Sequence, residues 1–272
     1  MTFRGGELSA ADRIDTSVAH PARRYNYLLG GKDNFAADRQ SGDALAAAMP
    51  TIRLAAVENR LFLQRAVRFL ALHGVRQFLD IGTGIPTADN THEVAQAIDP
   101  SARVVYVDND PIVLAHARAL LSSTPEGRTA YLDADLREPE RILSHPDLRT
   151  TLDLTQPVAL MLVAILHFIR DDEAPRSILN RLVAALPSGS YVVASHVTWE
   201  YLSPEVTAKL EANNHDGRFQ ARTTEQFAGL LDGLDLVEPG IVSVARWRAD
   251  DAPQPRPSVQ DVSFNGAVAR VR

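Results

Sequence analysis

The chain of 272 residues carries 34 acidic against 28 basic side chains, a formal charge of −6, with 45% hydrophobic residues and no cysteine. Disulfides, thiolate nucleophiles and cysteine-held zinc or iron–sulfur centres are excluded, and the acidic balance disfavours nucleic acid as a partner. No apolar run approaches the roughly 18 residues of a membrane span, and the mixed-charge segment Met1 to Arg24 does not read as a secretory signal, so the expected setting is cytoplasmic with no membrane partner.

Residues up to about Thr16 are polar and lack apolar anchors, which predicts a mobile start. The stretch Arg23-Arg24-Tyr25-Asn26-Tyr27-Leu28-Leu29-Gly30-Gly31-Lys32-Asp33-Asn34 reads as a shaped loop, with Asp33 or Asn34 capping a helix from Phe35 to about Met49. From Arg53 to His73, Leu54, Val57, Leu61, Ala66 and Phe69 recur at helical spacing, and Gly74 supplies the stop. The expected organisation is a helical prefix or cap over residues 1–52 and one main domain over 53–272.

Alternation then sets in. Strands are predicted at Gln77–Ile81, Arg103–Val107, Thr129–Leu132, Val158–Val163 and Tyr191–Ser195, with helices near Asn90–Ile98, Pro111–Leu121, Arg137–Leu143 and Ala174–Leu186. Strands alternating with helices predict an α/β fold with a doubly wound, largely parallel sheet. After a helix at Glu225–Leu231, the segments Ile241–Trp247 and Phe264–Val271 flank the Pro-rich loop Pro253 to Pro257 and predict an antiparallel pair at the sheet edge.

The chemistry is concentrated at strand ends. The first strand runs Phe78-Leu79-Asp80-Ile81 into Gly82-Thr83-Gly84-Ile85-Pro86, and the second ends Tyr106-Val107-Asp108-Asn109-Asp110. An acid and a glycine turn after one strand, with an acid after the next, build a nucleoside site at the carboxyl edge of a parallel sheet. A diphosphate cofactor requires a third glycine near position 87, where Pro86 and Thr87 stand. The pattern therefore fits S-adenosylmethionine better than NAD. Asp80 is placed to meet the methionine ammonium, and Asp108, beside Asn109, to accept both ribose hydroxyls. Asp110 is less suited, because it precedes the helix-opening Pro111. After the third strand, Asp135, favoured over Asp133, can accept from the adenine amino group, with the backbone of Leu136 at the ring edge.

Phe78–Pro86, Val104–Asp110 and Tyr131–Leu136 resemble the first three motifs of class I S-adenosylmethionine-dependent methyltransferases, and Phe264-Asn265-Gly266-Ala267-Val268-Ala269-Arg270 resembles their last antiparallel strand. More narrowly, Ala22 to Phe35, Glu58-Asn59-Arg60-Leu61-Phe62 and the Gly82 turn resemble the actinobacterial S-adenosyl methyltransferase family, once catalogued as a domain of unknown function. The resemblance implies a Rossmann-like sheet of order 3-2-1-4-5-7-6 and a family-specific helical prefix.

If the prefix folds over the carboxyl edge, Tyr25, Asn26, Tyr27, Lys32 and Asn34 are placed to line the methionine end or an acceptor pocket, and Arg60 to pair with the methionine carboxylate. The competing role for Tyr25, Tyr27 and Arg60 is to bolt the prefix to the domain. Methyl transfer from a sulfonium needs positioning above all, and a base only where the acceptor must lose a proton. His167, after the fourth strand, is the candidate base, or else a structural histidine or a wall of the adenine side. His196, Trp199 and Glu200 form the next set.

The fourth strand has no Asn-Pro-Pro-Tyr or Asp-Pro-Pro-Tyr sequence, which points away from base methylation and toward a small-molecule acceptor. Asp171-Asp172-Glu173 reads as a solvated helix start, and the scattered histidines suggest no metal site. The leading expectation is methyl transfer to oxygen or nitrogen of a small molecule. A non-catalytic S-adenosylmethionine-binding sensor or scaffold is the alternative, and a homo-oligomer is left open.

Overall fold

The computed structural model describes residues 14–120, 122–214 and 217–272. Most of the start expected to be mobile, and Leu121 at the predicted end of one helix, lie outside the described residues.

Three helices precede the sheet: α1 (Pro21–Leu28), α2 (Ala36–Ala48) and α3 (Ile52–Leu72). The expected loop at Arg23 to Asn34 is thus helical over its first half. Pro21 at the first helical position and His20, whose ring accepts from Ala22 N–H, start α1. Helix α2 is capped differently from the expectation: the Asp38 carboxylate reaches back to Phe35 N–H, while Asn34 donates to Asn26 Oδ1 and the Gly31 carbonyl. In α3 the buried Phe62, Leu63, Ala66, Val67 and Leu70 recur every three to four residues and make one face. Gly74, at φ +91°, stops it.

The α/β alternation follows as β1 (Gln77–Ile81), α4 (Thr91–Gln96), β2 (Arg103–Asp108), α5 (Pro111–Leu120), β3 (Arg128–Asp133), α6 (Pro139–Ser144), α7 (Pro146–Thr151), β4 (Ala159–Val163), α8 (Pro175–Val183) and β5 (Tyr191–Val197). The chain then forms α9 (Pro204–Ala212), α10 (Thr224–Leu230), β6 (Asp235–Leu236), β7 (Val242–Ser243), α11 (Val259–Val262) and β8 (Phe264–Arg270). Strands β1 to β5 pair in parallel in the order β3-β2-β1-β4-β5, and β8 lies antiparallel on β5. This is the Rossmann-like methyltransferase arrangement, with the final strand inserted before the sixth. The outer edge of β8 takes two short strands, β6 opposite Arg270 and Ala269 and β7 opposite Gly266 and Asn265. Sequence patterning missed β6, whose two residues are too few to show a period, and extended β7 to Trp247 although the chain turns after Ser243.

Side-chain alternation along the strands divides the core into two layers. Phe78, Val104, Tyr106, Ala159 and Met161 pack toward α3, while Leu79, Val105, Leu132, Leu160 and Leu162 pack toward α7 and α8. Trp247 is fully buried on the first side, its ring edge-on to Phe62 at 5.5 Å and to Phe69 at 5.7 Å. Among the described residues no helix is long and apolar enough to cross a membrane.

Candidate functional site

The carboxyl ends of β1, β2 and β3 each deliver an acid or a turn to one place. Gly82 N–H donates to the Val107 carbonyl at 2.8 Å, and Gly84 N–H to Asp108 Oδ2 at 2.9 Å, so the turn after β1 is tied to the end of β2. Both glycines have positive φ, +74° and +69°. Their missing side chains serve different ends. A Cβ on Gly82 would come within 2.7 Å of Ile165 Cδ1, whereas one on Gly84 would meet only open space.

Asp108 is buried and also accepts Asp110 N–H on Oδ1 at 2.9 Å. Burial outweighs these bonds and pushes its carboxyl up to about 6. Asp80, buried one strand over, accepts from Thr91 Oγ1 at 2.6 Å, and burial pushes it up to about 6 as well, with Arg60 opposing the shift. Arg60 reaches across from α3: its Nη2 donates to the Ala88 and Asp89 carbonyls and to Asn90 Oδ1, while its Nε is buried with no partner. After β3, Asp135 accepts from Asn109 Nδ2 at 2.7 Å and from Arg137 N–H at 2.8 Å.

These groups border a cavity of about 810 Å³ that runs along the carboxyl edge of the sheet beneath the prefix helices. Asp80, Gly82, Gly84, Asp108, Asn109, Asp135, Leu136, Arg60 and His167 all line it. Tyr27 does not. Its hydroxyl donates to Asp43 Oδ1 at 2.6 Å and its ring lies beneath the Arg53 guanidinium at 4.6 Å. The physical reason is the helix itself: two residues along α1 turn the side chain by about 200°, so Tyr25 faces the cavity and Tyr27 faces away. Asn26, Lys32 and Asn34 are likewise not on the wall.

A buried line of hydrogen bonds starts at Tyr25. Its hydroxyl donates to the Ala56 carbonyl at 2.9 Å and accepts from Asn59 Nδ2 at 3.0 Å. Asn59 Oδ1 accepts from Ser195 Oγ, and Ser195 Oγ accepts Ala164 N–H at 2.9 Å. Ala164 follows β4 with φ 57°, a left-handed conformation that disfavours a residue with a Cβ by about 1–2 kcal/mol. The prefix is held from the other side by Asp110. One of its oxygens caps α5 at Ile112 N–H, and the other lies 3.2 Å from Arg23 Nε and 3.1 Å from His20 Nδ1. No local pattern marks this pairing, because the partners are distant in the chain.

His167 sits in a short 3-10 turn, Leu166–Phe168, directly after β4. It is buried, lines the cavity, and its Nδ1 has no partner. Desolvation holds the imidazole well below its ordinary range, with the neighbouring His196, Arg24 and Arg222 acting the same way. It is therefore neutral at pH 7.

His196 is not on the wall. Arg222 Nη1 contacts its Nε2 at 2.9 Å, and because arginine can only donate, the proton sits on Nδ1, facing the Val197 carbonyl at 2.8 Å. Burial pushes His196 down to about 4. Arg222 also holds the Leu166 and Ile169 carbonyls and Asp171, so this knot fixes the turn that carries His167. Glu200 is occupied by the N–H and hydroxyl of Thr224. Trp199 does line the cavity, and so do Phe168, Phe219 and Phe264, to which the sequence reading assigned no site role. Among the described residues no group of three or more histidines or acids is gathered to hold a metal ion.

Comparison with known proteins follows the same lines. Residues 7–272 match the profile of a family described as S-adenosyl methyltransferase. The crystal structure of a DUF574 family protein from Streptomyces avermitilis is 48% identical with a TM-score of 0.88, over 96% of this chain and all of that one. A candidate methyltransferase from Thermobifida fusca is 42% identical with a TM-score of 0.87, over 95% of this chain and 97% of that one. An O-methyltransferase family protein from Burkholderia thailandensis shares the fold at 14% identity and a TM-score of 0.52, over 81% of this chain and 58% of that one. A search of curated protein sequences gave no significant match.

Proposed function

The chain belongs to the S-adenosyl methyltransferase family, and we propose that it uses S-adenosylmethionine to methylate oxygen or nitrogen of a small molecule. The observation that carries this reading is the alignment of Asp80, Asp108 and Asp135 beside three adjacent parallel strands on one cavity, with the open backbone of Gly84 between the first two.

The residues present fit that cofactor. Asp108 is the ribose-binding carboxylate, since each oxygen keeps a lone pair beyond the backbone bond it accepts. Asp135 and the Leu136 backbone meet the adenine edge, with Asn109 orienting Asp135. Asp80 receives the methionine ammonium. The unpartnered Arg60 Nε, a buried donor in want of an acceptor, suits the methionine carboxylate.

When bound, the cofactor supplies an electrophilic methyl group on a sulfonium. The chain's part is to hold the acceptor in line, exclude water and accept a proton. The prefix helices roof the cavity with Tyr25 and Leu28, and the neutral His167 imidazole is the group available to take a proton from the acceptor.

Isothermal titration calorimetry with S-adenosylmethionine, S-adenosylhomocysteine and NAD tests the site. Binding of the first two and none of NAD is expected, and Asp108→Ala is expected to weaken both. Binding of NAD alone, or an Asp108→Ala variant with wild-type affinity, overturns the assignment.

A further inference from the structure

The cavity changes character along its length. At β3, β2 and β1 its wall carries the carboxylates Asp135, Asp108 and Asp80, whereas toward β4, β5 and β8 it gathers four aromatic rings among aliphatic and polar side chains. Trp199 and Phe219 stack at 5.9 Å with 27° between planes, Phe219 stands 5.1 Å from His167, and Phe168 and Phe264 close on the same imidazole at 4.5 and 5.8 Å. Phe168, Trp199 and Phe219 are only half-buried although they line an interior cavity. Part of each ring is therefore left without a protein neighbour.

We propose that the methyl acceptor is an aromatic hydroxy compound, its ring held among Phe168, Trp199, Phe219 and Phe264 with its hydroxyl at His167. The proposal rests on the methyltransferase reading given above and names the substrate class for it. Aromatic walls favour an aromatic guest, because offset and edge-to-face contacts add to the burial of apolar area. The carboxylates Asp172 and Glu173 at this end are already engaged by Arg170 and Arg137, so among the described residues the ring-lined part offers no unengaged acid to recruit a cationic guest.

The chemistry of the base narrows the choice further. A desolvated imidazole is a weak base. It is poorly matched to an alkanol, whose hydroxyl is, like water, a far weaker acid, and better matched to a phenol, which loses its proton near about 10 as tyrosine does. In the transfer, the acceptor oxygen bonds to the methyl carbon as the carbon–sulfur bond breaks, the bond pair stays on sulfur as the thioether, and the phenolic proton passes to His167 and then to water.

The test pairs phenol, catechol and 2-naphthol with cyclohexanol and cyclohexane-1,2-diol. Binding is measured by calorimetry on protein saturated with S-adenosylhomocysteine, and turnover by release of S-adenosylhomocysteine from S-adenosylmethionine. Aromatic probes are expected to bind at least about tenfold more tightly than their saturated counterparts. Phe219→Ala and Trp199→Ala are expected to erase that preference while cofactor affinity stays within twofold, which also reports that both variants are folded. His167→Gln is expected to keep aromatic binding and lose turnover by about a hundredfold or more. Equal binding of saturated and aromatic probes, or no aromatic binding by a protein that still binds the cofactor, overturns the aromatic assignment. Failure to bind the cofactor at all overturns the methyltransferase reading beneath it.

Discussion

Ser195 Oγ donates to Asn59 Oδ1 at 2.6 Å, joining two residues 136 positions apart in the chain. Through this bond the roof helix α1, the buried face of α3 and the left-handed residue after β4 belong to one line of hydrogen bonds. Ser195→Ala strips a partner from Ala164 N–H and from Asn59 Oδ1 together. The expected loss is about 1–3 kcal/mol, the ordinary consequence of leaving buried polar groups unpaired, read as a lower urea midpoint at unchanged slope. A loss under about 0.5 kcal/mol, the level of a surface substitution, contradicts it.

Asp110 fastens the roof. Arg23 and Asp110 are both nearly inaccessible, at 5% and 4% exposure, so Asp110→Asn leaves a buried guanidinium facing a neutral amide, with Asp38 next nearest at 3.8 Å. Breaking a buried pair from one side destabilises by about 3–5 kcal/mol. The first consequence is expected in α1, as faster amide exchange and protease cleavage between residues 20 and 35 while the sheet stays protected. Uniform exchange across the chain is the opposing result.

The carboxyls of Asp80 and Asp108, both pushed up to about 6 by burial, give a pH signature whose two halves have opposite sign. Between roughly pH 4 and 6 the folded state holds more protons than the unfolded state, so their contribution to stability falls as pH rises through that window. On the proposed roles, cofactor affinity is expected to move the other way, because a carboxylate that accepts from the ribose diol or the ammonium must be ionised. At pH 5 about a tenth of either group is ionised, and binding is expected to be about tenfold weaker than at pH 8 for each group required. Calorimetry across that range on the wild type and Asp108→Asn checks it: the variant binds more weakly and with a shallower pH profile.

The parallel half of the sheet was legible because β1 and β2 are nearly continuous buried apolar runs that end in an acid. The carboxylates and glycines at their ends follow from that register, and the structure gathers them on one cavity. Helix α1 was hidden by Tyr25, Asn26 and Tyr27, whose mixed polarity obscures the helical period. Whether Tyr25 or Tyr27 faces inward depends on the roll of α1, fixed by Arg23 meeting Asp110, and a pairing across that many residues has no local signature. The same holds for Arg222, which immobilises the His167 turn from a segment far along the chain.

The contact between Gly82 and Ile165 has a mechanical meaning. With no Cβ to separate them, the turn after β1 and the turn after β4 abut directly, so these two borders of the cavity form one solid joint instead of two independent loops. A guest that orders one of the two turns is therefore expected to order the other, so that a second guest binds with a smaller loss of freedom.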